Sequence, residues 1–175
     1  SSANAASLNI SPANSSALTG ESATATIIAQ TSGEKFCAAQ GTIVFNNLTC
    51  QNITLSSGIM AQTQPTCSNP NFVLGIPKCT TVDTTLFTIK VKAGSVGTAS
   101  INFTGVDLVG VGASIGTTST GGKYVIKEAP VVVTKTPEVK PVQEVPTSQP
   151  IENQEPSEES KQLLTETEEV NPTLN

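Results

Sequence analysis

The sequence predicts an all-β protein: a nine-stranded antiparallel β-sandwich with jelly-roll topology, followed by a disordered Pro/Glu-rich tail. Three observations carry this. Apolar and polar residues alternate with a period of two in short segments rich in Thr and β-branched side chains. Turn residues separate those segments, and no stretch sustains helical periodicity with caps. The composition breaks sharply near residues 127–130: all 13 glycines precede residue 123, whereas seven of 11 prolines follow residue 129.

Taken in order, Leu8 and Ile10 alternate with Ser7 and Asn9. Ala23, Ala25, Ile27 and Ala29 alternate with Thr24, Thr26 and Gln30, with Ile28 interrupting the polar side. Ile43 and Phe45 alternate with Thr42, Val44 and Asn46. Over 84–92 the apolar side is Thr85, Phe87, Ile89 and Val91, and Leu86 falls on the opposite, polar side with Thr84, Thr88, Lys90 and Lys92. Ala99, Ile101 and Phe103 alternate with Thr98, Ser100, Asn102 and Thr104, and Tyr124 and Ile126 follow a Gly121-Gly122 turn. Ser32-Gly33, Ser57-Gly58, Asn69-Pro70, Gly94-Ser95 and Gly97 mark turns between strands. So many short strands in about 120 residues call for two packed antiparallel sheets.

The expected organisation is an N-terminal extension over 1–6, a β-sandwich domain over 7–128 and a linker or stalk over 129–175. The 175-residue chain carries a net charge of −5, but 1–128 is near neutral, with six lysines against five carboxylates. Residues 129–175 hold three lysines against nine glutamates, so the acidity belongs to the tail. Recurrent proline removes backbone donors and biases each preceding residue away from helix. After Val131–Val133 the apolar residues are scattered singly, too few to offset the entropy of ordering. An extended, self-repelling spacer follows.

Four cysteines, Cys37, Cys50, Cys67 and Cys79, lie in the β-domain. None of their gaps is the two-to-four-residue knuckle of a zinc site, so no metal is expected. An even count suits two disulfides, each contributing about 3 kcal/mol through the unfolded chain. Of the three pairings the sequence-local one, Cys37–Cys50 and Cys67–Cys79, is expected; four buried free thiols are the competing reading. Disulfides imply an oxidising compartment, hence a secreted or cell-surface protein. Residues 1–7 have no signal-peptide pattern, and no apolar run is long enough to span a membrane. Asn9, Asn14, Asn47, Asn52 and Asn102 head N-x-[ST] sequons, which matter only in a glycosylating host.

The chain has no His and no Trp, and aromatics make up 3 % of it. Without His, most general-base and triad chemistry and activation of a Cys nucleophile are removed. The acidic balance argues against nucleic acid as a partner. Asp83 and Asp107 are the only strand-region aspartates, and nothing in their spacing supports a two-carboxylate hydrolase or a calcium cluster. No catalytic residue, metal or cofactor is therefore expected, and the chain reads as non-enzymatic. Of the aromatics, Phe45, Phe87, Phe103 and Tyr124 fall on inward positions; Phe36 and Phe72 remain, too few for a sugar-stacking platform.

The order of these features resembles a cohesin domain. LNISPANSSALTGESATATIIA resembles the family's opening strand, Ser-Pro, turn and long alternating strand. GTIVFNNLTCQNITLSSGI resembles its paired third and fourth strands. TTLFTIKVKAGSVGTASINFTGVDLVGVGASIGTT resembles its most distinctive stretch, and GGKYVIK its last strand. The resemblance spans about 120 residues and is one of pattern; the same jelly roll occurs in some carbohydrate-binding modules, and the cysteine pairs depart from the usual cohesin. It implies a protein-binding module that docks a dockerin-type partner, itself holding calcium in EF-hand-like loops. By analogy the docking face uses the third, fifth, sixth and eighth strands, here roughly 41–46, 59–63, 71–75 and 98–104. Its candidate residues are Thr42, Val44, Asn46, Thr98, Ser100 and Asn102. A carbohydrate-binding module taking polysaccharide, or a structural or adhesion domain of a surface protein, is the alternative.

Overall fold

A computed structural model describes residues 5–138 and 141–143. Contacts divide the chain into two units, Ser1–Val132 and Val133–Asn175. Residues 129–138 and 141–143 are irregular and exposed; the rest of the predicted tail lies outside the described residues.

All regular structure among the described residues is strand. The strands are β1 (Ser7–Ser11), β2 (Asn14–Leu18), β3 (Ser22–Gln30), β4 (Phe36–Asn46), β5 (Leu48–Leu55), β6 (Met60–Thr63), β7 (Asn71–Thr80), β8 (Thr84–Ala93), β9 (Gly97–Val109), β10 (Ser114–Gly116), β11 (Thr118–Thr120) and β12 (Gly122–Lys127). They form a five-stranded sheet, β11-β1-β3-β8-β5, and a seven-stranded one, β2-β12-β9-β4-β7-β6 with β10 on β9. Period-2 patterning anticipates six of these, β1, β3, β4, β8, β9 and β12, and the resemblance supplies β5, β6 and β7. The short β2, β10 and β11 lack an alternating apolar face and owe their extended form to their neighbours.

The two ends of the domain lace the sheets together. β1 runs parallel to β11 in one sheet, and β2 runs parallel to β12 in the other. The chain crosses between sheets at Pro12, which has no N–H to give a ladder, and again at Gly121. Between the sheets lies one core, in which Leu8, Ile27, Ile43, Phe87, Ile101, Leu108 and Ile126 are at most 2 % exposed. Phe72 and Phe87 meet edge-on across it, ring centroids 5.3 Å apart.

Several sequence expectations are corrected here. Phe36 and Phe72 are each 1 % exposed. Phe72 is taken into the core because Gly41, its partner on β4, leaves room for the ring. Leu86 is buried as well, because a bulge opposite Ile27 and Ile28 lets consecutive Leu86 and Phe87 both face inward. The strands on either side of Asn47 are not a hairpin: β4 and β5 belong to opposite sheets. Asn47 adopts a left-handed φ of 54°. Its amide donates to the Ser95 and Thr98 carbonyls (2.8 and 3.2 Å) and accepts from the Ser95 N–H (2.9 Å), tying this corner to the one between β8 and β9.

That corner also overturns the expected disulfides. The bonds are Cys37–Cys79 and Cys50–Cys67. Cys37 lies nine residues before the end of β4, ~30 Å from the Asn47 corner at strand rise, whereas Cys50 lies just beyond the corner. They are therefore much too far apart for a disulfide, whose Cα atoms must approach within about 7 Å. Cys37 instead faces Cys79 across the irregular β4·β7 pairing, with Cα atoms 4.3 Å apart. Cys50, on edge strand β5, holds Cys67 in the loop between β6 and β7, which closes the sandwich where both sheets end.

Candidate binding face

The four segments expected to form a docking face are adjacent in the structure, as the run β9-β4-β7-β6 of the seven-stranded sheet. Their inward residues, Ile43, Leu74, Ile101 and Phe103, are core. Strand alternation therefore turns Thr42, Val44, Asn46, Thr98, Ser100 and Asn102 outward. Val44 lies opposite Asn102 and Asn46 opposite Ser100, so the six residues form one continuous patch on β4 and β9. Val44 is 40 % exposed. Around it, Thr42 donates to Asn71 Oδ1 (2.6 Å) and Asn102 donates to Ser100 Oγ (3.0 Å), which ties these polar side chains to neighbours on the same sheet.

The face extends beyond those six. β12 places Lys123, Val125 and Lys127 outward beside β9, and β2 adds Asn14, Ser16 and Leu18. The signal for the β12 residues was present: Tyr124 and Ile126 point inward, so their neighbours must point out. The β2 residues carried none, since their exposure follows from pairing with β12. Two shallow concavities lie on the face. One, of about 530 Å³, is bounded by Asn14, Asn46, Thr98, Ser100, Lys123 and Val125. The other, of about 420 Å³, lies over Ala38, Val73, Gly75 and Ile76 and is bordered by Met60, which is 63 % exposed.

The two strand-region aspartates have structural partners. Asp83 Oδ1 accepts from the N–H of buried Thr31 (2.9 Å), and Asp107 Oδ1 accepts from Ser114 Oγ (2.5 Å). Among the described residues no group of three or more His, Cys, Asp or Glu is placed to hold a metal ion. No helix there is long and apolar enough to cross a membrane. Burial raises the pKa of Tyr124, beneath the β12 surface.

No family model and no curated protein matches the chain. Solved structures do. The third ScaB cohesin of R. flavefaciens, solved in complex with a group 1 dockerin, matches with a TM-score of 0.59 at 17 % identity, over 73 % of this chain and 99 % of that one. A non-cellulosomal cohesin from the hyperthermophilic archaeon Archaeoglobus fulgidus matches at 0.54 and 13 %, over 71 % and 93 %. A type II cohesin domain from the cellulosome of Acetivibrio cellulolyticus matches at 0.53 and 14 %, over 69 % and 95 %. The β-sandwich of this chain thus has the cohesin fold, at 13–17 % sequence identity with these three.

Proposed function

We propose that residues 7–128 are a non-catalytic protein-binding module, which docks a dockerin-type partner on the outward face of β9, β4, β7 and β6. The carrying observation is the continuous patch on β4 and β9, where Val44 stands exposed among Thr, Ser and Asn. Such a surface offers a small desolvated centre with a polar surround. The likeness to a cohesin solved with a dockerin supports the choice of partner. Calcium would sit in that partner rather than here. Two disulfides support an extracellular or cell-surface site of action, and the acidic 129–175 segment serves as the spacer. A sugar ligand is the weaker reading: Phe36, Phe72, Phe87, Phe103 and Tyr124 are buried, and Phe45 packs against the core, so no ring is free to stack on a saccharide.

The test is capture of extracellular proteins from the same source on the immobilised chain, with and without a calcium chelator. A partner with tandem EF-hand-like loops is expected, released by the chelator and weakened more than tenfold by Val44→Arg. Retention on polysaccharide instead, or indifference of the captured partner to Val44→Arg, overturns the reading.

A further inference from the structure

We infer that the end of this face crossed by β2, β12, β9 and β4 is a carboxylate-accepting dock, whose occupant is a partner helix with an Asp or Glu over Lys123. This deepens the proposed protein-binding function and rests on it.

The register carries the inference. Asn14, Lys123, Ser100 and Asn46 lie directly opposite one another on four adjacent strands, so they form one straight row across the sheet. The row borders the concavity of about 530 Å³. Its position is fixed, because the Lys123 N–H donates to the Ala13 carbonyl (2.8 Å) and both edges of β12 are paired. Every member can donate: an ammonium flanked by two amides and a hydroxyl. None of residues 14–18, 42–46, 98–104 or 122–127 is acidic, so the stretches of strand around the row offer Lys123 no carboxylate. Lys127 lies on the same side of β12 but at its far end, opposite Leu18, whose N–H donates to Glu21 Oε2 (2.7 Å), so Lys123 is the charge this row presents. An anion entering here meets a charge-assisted hydrogen bond and uncharged donors around it.

Geometry favours a helix as the carrier. Adjacent strands are ~4.8 Å apart and successive helical turns ~5.4 Å apart, so a helix laid across the strands brings one residue per turn over one strand. Its carboxylate would lie over β12, with polar residues one turn away over β2 and β9. Val125, 50 % exposed in the next row, gives the helix an apolar contact beside its charge.

Two stapled helical peptides, identical except for three glutamates or three lysines at one-turn spacing, test this by titration into the 15N-labelled full chain. The glutamate helix should shift the amides of Asn46, Ser100 and Lys123, and the lysine helix should leave them in place. Lys123→Gln should weaken the glutamate helix about tenfold without lowering Tm. Equal shifts by both helices, or an unchanged midpoint in Lys123→Gln, overturn the inference. If neither helix moves these amides while Val44→Arg still abolishes capture of the natural partner, the carboxylate dock is wrong and the docking face stands. If both measurements fail, the face fails with it.

Discussion

Reducing the two disulfides is expected to lower the stability of the domain by about 6–7 kcal/mol, through the unfolded chain. The bonds are nested: Cys50–Cys67 spans 17 residues and lies inside Cys37–Cys79, which spans 42. The inner loop alone is worth about 3 kcal/mol by the chain-entropy relation. With it closed, the outer loop has an effective length of about 25 residues and is worth about 3.5 kcal/mol. For roughly 120 ordered residues the unfolding entropy is about 0.25 kcal/mol per degree, so complete reduction should lower Tm by about 25 °C. The loss is comparable with the whole stability of many domains. Calorimetry of the oxidised protein against the reduced and alkylated one reads the shift. Digestion with trypsin plus chymotrypsin under non-reducing conditions separates all four cysteines and reads the connectivity. A fragment joining Cys37 to Cys50 would overturn the connectivity, and a Tm shift below about 5 °C would overturn the magnitude.

Two further outcomes are expected. A Cβ on Gly41 would stand 2.8 Å from Cζ of Phe72, which is itself wedged against Phe87; Gly41→Ala should therefore cost about 1–3 kcal/mol in urea denaturation, and a neutral result would contradict the packing. Tyr124 is 7 % exposed, and burial holds its phenol above the ordinary value of 10.0. The unfolded chain then loses that proton first, so this contribution to stability is complete below about pH 10 and is lost as pH rises through the higher folded value. Tyr124→Phe should flatten the slope above pH 10 relative to the parent, and parallel profiles would show that the phenol titrates normally. Because Tyr124 is the only tyrosine, phenolate absorbance follows it directly.

Much of the face was legible in the sequence because strand geometry is local. Once Ile43, Phe45, Ile101 and Phe103 are assigned inward, Thr42, Val44, Asn46, Ser100 and Asn102 must turn outward, whatever lies beside them. Lys123 and Val125 follow from the same rule applied to Tyr124 and Ile126. Alternation fails where the ladder slips, as at Leu86, since a bulge reverses the parity of everything beyond it. It is also silent on β2, an exposed Asn-Ser-Ser run that is a strand because β12 pairs with it.

An all-β domain of alternating strands, the facing of most residues away from bulges, and the chemistry that four cysteines permit are all written in the local sequence. Which sheet each strand joins is settled by packing across the whole domain. Asn47 sends β4 and β5 to opposite sheets, and that separates Cys37 from Cys50 and brings Cys37 to Cys79. Likewise, the alignment of Asn14, Lys123, Ser100 and Asn46 exists only once four strands distant in sequence share one register. Period-2 patterning records which way a side chain points; which strand lies beside it is set by packing between segments far apart in the chain, and that leaves no local trace.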